Sequence, residues 1–162
     1  MIHLIVGNTG AGKTTYAIEL RKKTGGIIFS IDEWNNTLFF KDKTENDKED
    51  WILERIERIE EMITKLITQL EEVNVDVILD LGLSKKSHRD KFRKFAENNG
   101  LKTQLHFLDY SKDLRQERVM KRNREKGETY TFEVSQADFD FMETWFEPPQ
   151  NEELLGAVHL KD

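Results

Sequence analysis

Short apolar runs alternate along this chain with longer amphipathic or polar stretches, and the alternation predicts its elements. Ile2 to Val6 forms an unbroken apolar run, the mark of a strand buried on both faces. A helix follows a glycine-rich loop and runs to about Lys23, with Tyr16, Ala17 and Leu20 inward and Gly25-Gly26 closing it. IIFSID, residues 27 to 32, predicts a second strand, and the Asn-, Asp-, Lys- and Thr-rich residues 35 to 48 predict a loop anchored by Phe39 and Phe40. From Glu49 to Val73, Ile52, Leu53, Ile56, Ile59, Ile63, Leu66, Ile67 and Leu70 recur at helical spacing. The opposite face carries Glu54, Arg55, Glu57, Arg58, Glu60, Glu61 and Lys65 and predicts a solvated surface. VDVILDL, residues 75 to 81, predicts a third strand broken by Gly82, with Ser84 capping a helix that reaches Asn98 and closes at Gly100. A fourth strand at 103 to 109, helices at about 111 to 125 and 135 to 145, a stop at Pro148-Pro149 and a last strand in LLGAVHL, 154 to 160, complete the chain. This order predicts an α/β fold with a mostly parallel sheet covered on both faces. Ligands of such sheets sit at the carboxyl ends of the strands, which directs attention to Gly7 onward, Asp32, Asp80 and Asp109.

Length and charge narrow the classes. The 162 residues predict one domain, 1 to 162, with a real core. A net charge of −6 argues against non-specific coating of nucleic acid, though a local basic groove remains open. The chain has no cysteine, hence no disulfide and no thiolate metal site. The first apolar run stops at Gly7, too short for a signal peptide, and no stretch approaches a membrane span; the expected location is cytoplasmic.

The chemistry begins at GNTGAGKT, residues 7 to 14, which fits G-x-x-x-x-G-K-S/T between a strand and a helix. The expected cradle for the phosphates of ATP is Gly7, Asn8, Thr9, Gly10, Ala11, Gly12, Lys13, Thr14 and Thr15. Glycines let the backbone turn its N–H groups toward phosphate, and the helix start adds the positive end of a dipole. Lys13 is expected on the β- and γ-phosphates and the Thr14 hydroxyl on Mg2+. Asp32 could accept or position the proton of an attacking hydroxyl, or simply cap a turn. Asp80 could hold magnesium or serve a structural hydrogen bond, and Asp109 could cap the helix after Ser111. Arg115, Arg118 and Arg122, three and four apart, share one helix face, suited to phosphate charge in a lid at about 112 to 147 or to a solvated surface. Arg89, on the helix after Asp80, could contact substrate or phosphate, with the surface as the default. The four histidines lack ligand spacing; His3 and His106 are expected packed or hydrogen-bonded in strands. Trp34 and Phe39 either wall a pocket or pin a loop.

In order, GNTGAGKTT, SIDEW, ERIERIEEMI, VILDLGLSKKSHRDKFR, Arg122-Asn123 with Gly127, and WFEPP resemble the small P-loop kinase-like proteins labelled AAA-family ATPases of the zeta-toxin and polynucleotide-kinase type. The resemblance implies a three-layer, nucleoside-monophosphate-kinase-like fold with a five-stranded parallel sheet in order 2-3-1-4-5 and a helical lid. It implies ATP with Mg2+ at Lys13 and Thr14, Asp32 at the acceptor hydroxyl, Asp80 as the strand-three Asp, and Arg118 and Arg122 as lid arginines. One departure stands out: related kinases often carry Arg three residues after the strand-two Asp, where this chain has Asn35. If that Arg helps to bind an anionic acceptor, this chain takes a different one.

Two functions compete. A phosphotransferase would move the γ-phosphate to a hydroxyl of a small-molecule or nucleotide-like acceptor. A nucleotide-dependent ATPase or switch would act with a protein partner docked on the 49 to 73 helix or on WFEPP. Leu81 and Gly82 stand where a motor-type ATPase would usually place a water-activating Glu, which favours transfer.

Overall fold

The computed structural model describes residues 1–44, 49–127, 130 and 132–162. Five strands, β1 (Ile2–Gly7), β2 (Ile27–Ser30), β3 (Val77–Asp80), β4 (Thr103–Asp109) and β5 (Val158–Lys161), form one sheet in order β2-β3-β1-β4-β5. All four pairings are parallel. β1 lies at the centre, with Ile2 opposite both Val77 of β3 and Thr103 of β4, so every residue of IHLIVG is buried. That is why this run is continuously apolar apart from His3.

The helices are α1 (Lys13–Thr24), α2 (Ile31–Leu38), α3 (Glu49–Glu72), α4 (Lys86–Asn98), α5 (Lys112–Glu125) and α6 (Gln136–Trp145). Strand side chains alternate between two layers. Leu4, Val6, Val77, Leu79, Leu105 and Phe107 pack with Ile59, Ile63 and Ile67 of α3 and Phe92 and Ala96 of α4. Ile5, Ile78 and Leu108 pack with Ala17, Tyr16 and Leu20 of α1. A separate cluster, Val119, Val134 and Phe139, joins α5 to α6. The three-layer α/β architecture and strand order expected above are those observed.

Several local expectations give way. IIFSID is not all strand: Ser30 accepts a hydrogen bond from the Glu33 amide and starts α2 at Ile31. The stretch read as a loop is therefore helical to Leu38, with a 3-10 turn at Phe40–Asp42, while residues 45 to 48 lie outside the described residues. Trp34 and Phe39 pack on the core and pin this segment, whereas Phe40 stays exposed. The α3 stripe holds except at Leu53, which is exposed, and the charged face is not wholly solvated. Glu60 is buried against α4, accepting from Lys91 Nζ at 2.6 Å and pairing with His88 Nε2.

Ser84 caps nothing. α4 starts at Lys86, whose amide donates to Glu147 Oε2 at 2.8 Å, while the Glu147 amide donates to the Ser84 carbonyl at 2.9 Å. A residue 61 positions away thus does the work of a local cap. Arg89, expected on the surface, is completely buried. Its Nε and Nη2 donate to Glu153 at 2.7 and 3.0 Å, and Nη1 donates to the carbonyls of Leu83, Ser84 and Glu147. To reach it, Asn151–Leu154 winds into a 3-10 turn, so the last strand begins only at Val158 and Leu155 is exposed. Asp109 caps no helix: it accepts from His159 Nε2 at 2.9 Å and pairs with Lys161 across the β4–β5 edge.

His3 and His106 are buried in strands, as expected, within a connected chain of hydrogen bonds. His3 Nε2 lies 3.2 Å from Asp76, His3 Nδ1 2.9 Å from His106 Nε2, and His106 Nδ1 2.8 Å from the Tyr16 hydroxyl. Tyr16 donating to His106, His106 to His3 and His3 to Asp76 satisfies every link with both rings neutral. Burial, and then the neighbouring His3, push His106 down from 6.5 to about 4. Among the described residues, no helix is long and apolar enough to cross a membrane.

Candidate nucleotide and phosphoryl-transfer site

The turn from β1 to α1 requires its glycines. Gly10 and Gly12 have φ of +81° and +86°, in the left-handed region that side chains disfavour. A Cβ on Gly10 would lie 2.4 Å from the Arg115 carbonyl oxygen, and one on Gly7 would lie 2.9 Å from the Ala11 side chain. The Ala11 amide donates to the Asn8 carbonyl at 3.1 Å, and the Thr9 amide to the Asn8 side-chain oxygen at 2.7 Å, closing the loop on itself. Gly12 stands at the N-cap of α1 without a side-chain cap, so among the described residues the first-turn amides of Lys13, Thr14 and Thr15 are left as donors for an anion.

Lys13 Nζ donates to the Gly7 carbonyl at 2.9 Å and approaches the Asn8 carbonyl at 3.4 Å. Burial pushes its ammonium below the usual lysine range, against the pull of Asp80 and Asp32. The Thr14 hydroxyl donates to Asp80 Oδ2 at 2.8 Å. Asp80 is buried at the end of β3, in register with Ser30 of the adjacent strand β2, after which Asp32 enters the first turn of α2. Asp32 is exposed as a residue, while its carboxyl is crowded by protein. That burial, with the adjacent Asp80 charge, pushes its carboxyl above the usual range, while Lys13 and Arg122 pull it down.

On α5, Arg118 donates to the Ala11 carbonyl at 3.3 Å and lies over the Tyr110 ring at 4.4 Å from its centroid. Arg122 faces Asp32; burial lowers its guanidinium pKa while Asp32 raises it. Its Nε is buried and, among the described residues, lacks a hydrogen-bond partner. Arg115 does not share an open basic face with them. It is buried and donates to the carbonyls of Tyr110 and Thr9 and to both oxygens of Glu143.

The structure thus brings together Lys13, Thr14, Asp32, Asp80 and Arg122, and sets Arg118 against the loop. Sequence reasoning missed Glu143, which no motif marks and which lies 135 residues from its P-loop partner Asn8. It also missed the inward turn of Arg115, which only the position of α6 decides. A buried, orphaned guanidinium nitrogen, uncapped helix amides and the hard-oxygen pair of Thr14 and Asp80 fit a nucleoside triphosphate with Mg2+.

A fold and loop of this kind define a P-loop kinase-like protein. The chain belongs to the AAA domain family, whose model matches residues 2–149. Among solved structures it is similar to Chaetomium thermophilum Kti12 in complex with ADP-AlF3, at 13% identity and TM-score 0.69, covering 99% of this chain and 89% of that one. The Mycobacterium tuberculosis APS kinase CysC in complex with AMPPNP and APS matches at 16% identity and TM-score 0.64, covering 99% and 87%. A gluconokinase from Sinorhizobium meliloti matches at 18% identity and TM-score 0.61, covering 98% and 81%. At these identities the likeness establishes the fold. No curated protein sequence matches the chain.

Proposed function

We propose that the protein is an ATP-dependent phosphotransferase that moves the γ-phosphate to a hydroxyl of a small-molecule or nucleotide-like acceptor. The observation that carries this reading is the convergence of Asp32, Asp80, Lys13 and Arg122 at the carboxyl ends of β2 and β3, beside the P-loop. A hydrolase needs only a water site there. A carboxylate with a raised pKa, open to solvent and opposite an arginine, serves an acceptor hydroxyl better.

In this mechanism the first-turn amides of Lys13, Thr14 and Thr15 and the Lys13 ammonium bind the phosphates, and Arg118 braces the loop through the Ala11 carbonyl. Thr14 and Asp80 would hold Mg2+, which when bound neutralises charge on the phosphate oxygens. Asp32 orients the acceptor hydroxyl and takes its proton as the oxygen bonds to the γ-phosphorus. The bond from that phosphorus to the bridging oxygen breaks, and ADP leaves. Arg122, with an unused Nε, stabilises the charge on the transferring group. The gluconokinase and APS kinase neighbours support transfer to a small hydroxylic acceptor. The exposed Phe141–Trp145 stack supports the second reading, an ATPase acting with a protein partner.

The test is incubation with labelled ATP and magnesium, with and without metabolite and oligonucleotide pools. Label appearing on an acceptor supports transfer. Slow hydrolysis indifferent to every pool, but accelerated by a bound protein, supports the switch. Lys13→Ala abolishes both activities; Asp32→Asn stops transfer while sparing nucleotide binding, and transfer at the wild-type rate in that variant removes Asp32 from the chemistry.

A further inference from the structure

A single carboxylate on α6 clasps the phosphate loop. Glu143 Oε1 accepts from Asn8 Nδ2 at 2.6 Å and from Arg115 Nη1, also at 2.6 Å, while Oε2 accepts from Arg115 Nη2 at 2.9 Å. Asn8 is then held at both ends of its amide, because its oxygen accepts from the Thr9 amide at 2.7 Å. Arg115 closes the ring by donating to the Thr9 carbonyl at 3.1 Å, and its own carbonyl lies where a Gly10 side chain would be. Asn8 and Arg115 are both nearly inaccessible, at 7% and 6% exposure, so no water can easily replace a lost partner. Three consecutive loop residues, Asn8, Thr9 and Gly10, therefore take their positions from α5 and α6 rather than from β1 or α1 alone.

Resting on the phosphotransferase reading, we infer that Glu143 is a positioning residue for the nucleotide: docking of α6 sets the loop geometry, and with it nucleotide affinity. Glu143 touches no phosphate. It fixes the Asn8 amide plane, and through Arg115 the Thr9 carbonyl, and so holds the turn that leads into the first amides of α1. Charge assists each contact, since the acceptor is ionised and Arg115 engages it through two parallel bonds. The neighbouring acidic residues of α6 are placed differently. Asp138 closes the capping box with Ser135, and Asp140 pairs with Gln136 and Lys112 on the surface.

The experiment measures ADP binding by calorimetry, together with circular dichroism of the same samples, for the full chain and for Glu143→Gln, Glu143→Ala, Asn8→Ala and the control Asp140→Ala. At a temperature where each variant is fully folded, Glu143→Ala weakens ADP binding by at least about tenfold, the loss expected for one charge-assisted hydrogen bond. Glu143→Gln, nearly isosteric, falls between it and the wild type and keeps the inference testable if the alanine variant does not fold. Asn8→Ala weakens binding as well, and adding it to Glu143→Ala costs little more, because both remove the same contact. Asp140→Ala leaves binding unchanged. In labelled-transfer assays the nucleotide KM rises while kcat at saturating ATP changes little. Folded Glu143 variants that bind ADP within twofold of the wild type overturn the inference alone. A wild-type chain that binds no ADP overturns the phosphotransferase reading and this inference together.

Discussion

Replacing Arg89 by Met tests the buried hub that ties the segment around residues 147 to 153 to the end of β3. The substitution keeps much of the volume but removes the guanidinium, leaving the Glu153 carboxylate, itself 7% exposed, without its two donors. It also strips donors from the carbonyls of Leu83 and Glu147, at 3.1 and 2.8 Å in the intact protein. Breaking a buried pair from one side costs roughly 3–5 kcal/mol. With a urea m-value of about 2 kcal/mol/M, the midpoint of unfolding drops by roughly 1.5–2.5 M. Arg89→Lys loses most of the same energy, because an ammonium cannot engage both carboxylate oxygens and the carbonyls in one plane. The double variant Arg89→Met/Glu153→Leu recovers part of the loss, since neither charge is then buried alone. The assay is equilibrium urea unfolding followed by fluorescence of the three tryptophans. A midpoint within about 0.5 M of wild type for Arg89→Met, or a double variant weaker than the single one, refutes this account of the hub.

Gly10→Ala forces a Cβ to 2.4 Å from the Arg115 carbonyl at a φ of +81°, so it destabilises the fold by at least about 2 kcal/mol and weakens ADP binding; thermal unfolding with and without ADP reads both. Acid weakens the fold through His106. Its pKa in the folded chain lies at about 4, below the ordinary 6.5, so the unfolded chain binds the extra proton and stability falls as pH drops from 6.5 toward 4. The full loss approaches about 3 kcal/mol, and in urea titrations between pH 6.5 and 5 the slope flattens in His106→Gln. The raised carboxyl of Asp32 has the opposite sign: its charged form costs stability above its folded pKa, so Asp32→Asn stabilises the protein at pH 7 while stopping transfer. Because solvent reaches this side chain, the gain is at most about 1 kcal/mol, and an unfolding midpoint lower than wild type at pH 7 contradicts the assignment.

The parts of the fold legible in the sequence were those whose signal is local. β1, the glycine loop and the α3 stripe each satisfy their own periodicity or pattern, and the family resemblance carried the strand order. What was illegible depends on partners far along the chain. Glu60, Arg89 and Asp109 look like ordinary surface charges or caps until His88 and Lys91, Glu153, and His159 respectively are folded against them. α2 was hidden because DEWNNT offers few apolar residues; its inward side is Ile31, Trp34 and a buried Asn35. Asp32, Asp80, Lys13 and Thr14 were nameable because strand ends collect ligands, whereas Glu143 sits in DFMETW with no motif to announce it.

The central position of β1 has a consequence for synthesis. IHLIVG is made before both of its ladder partners, which begin only at Val77 and Thr103, and β2, made meanwhile, pairs with β3 rather than with β1. At about 5–20 residues per second, the ribosome leaves this sticky hexapeptide without a sheet neighbour for roughly 4–15 s. That interval is the window in which a nascent-chain chaperone, or an aggregating copy of the same strand, would compete for it.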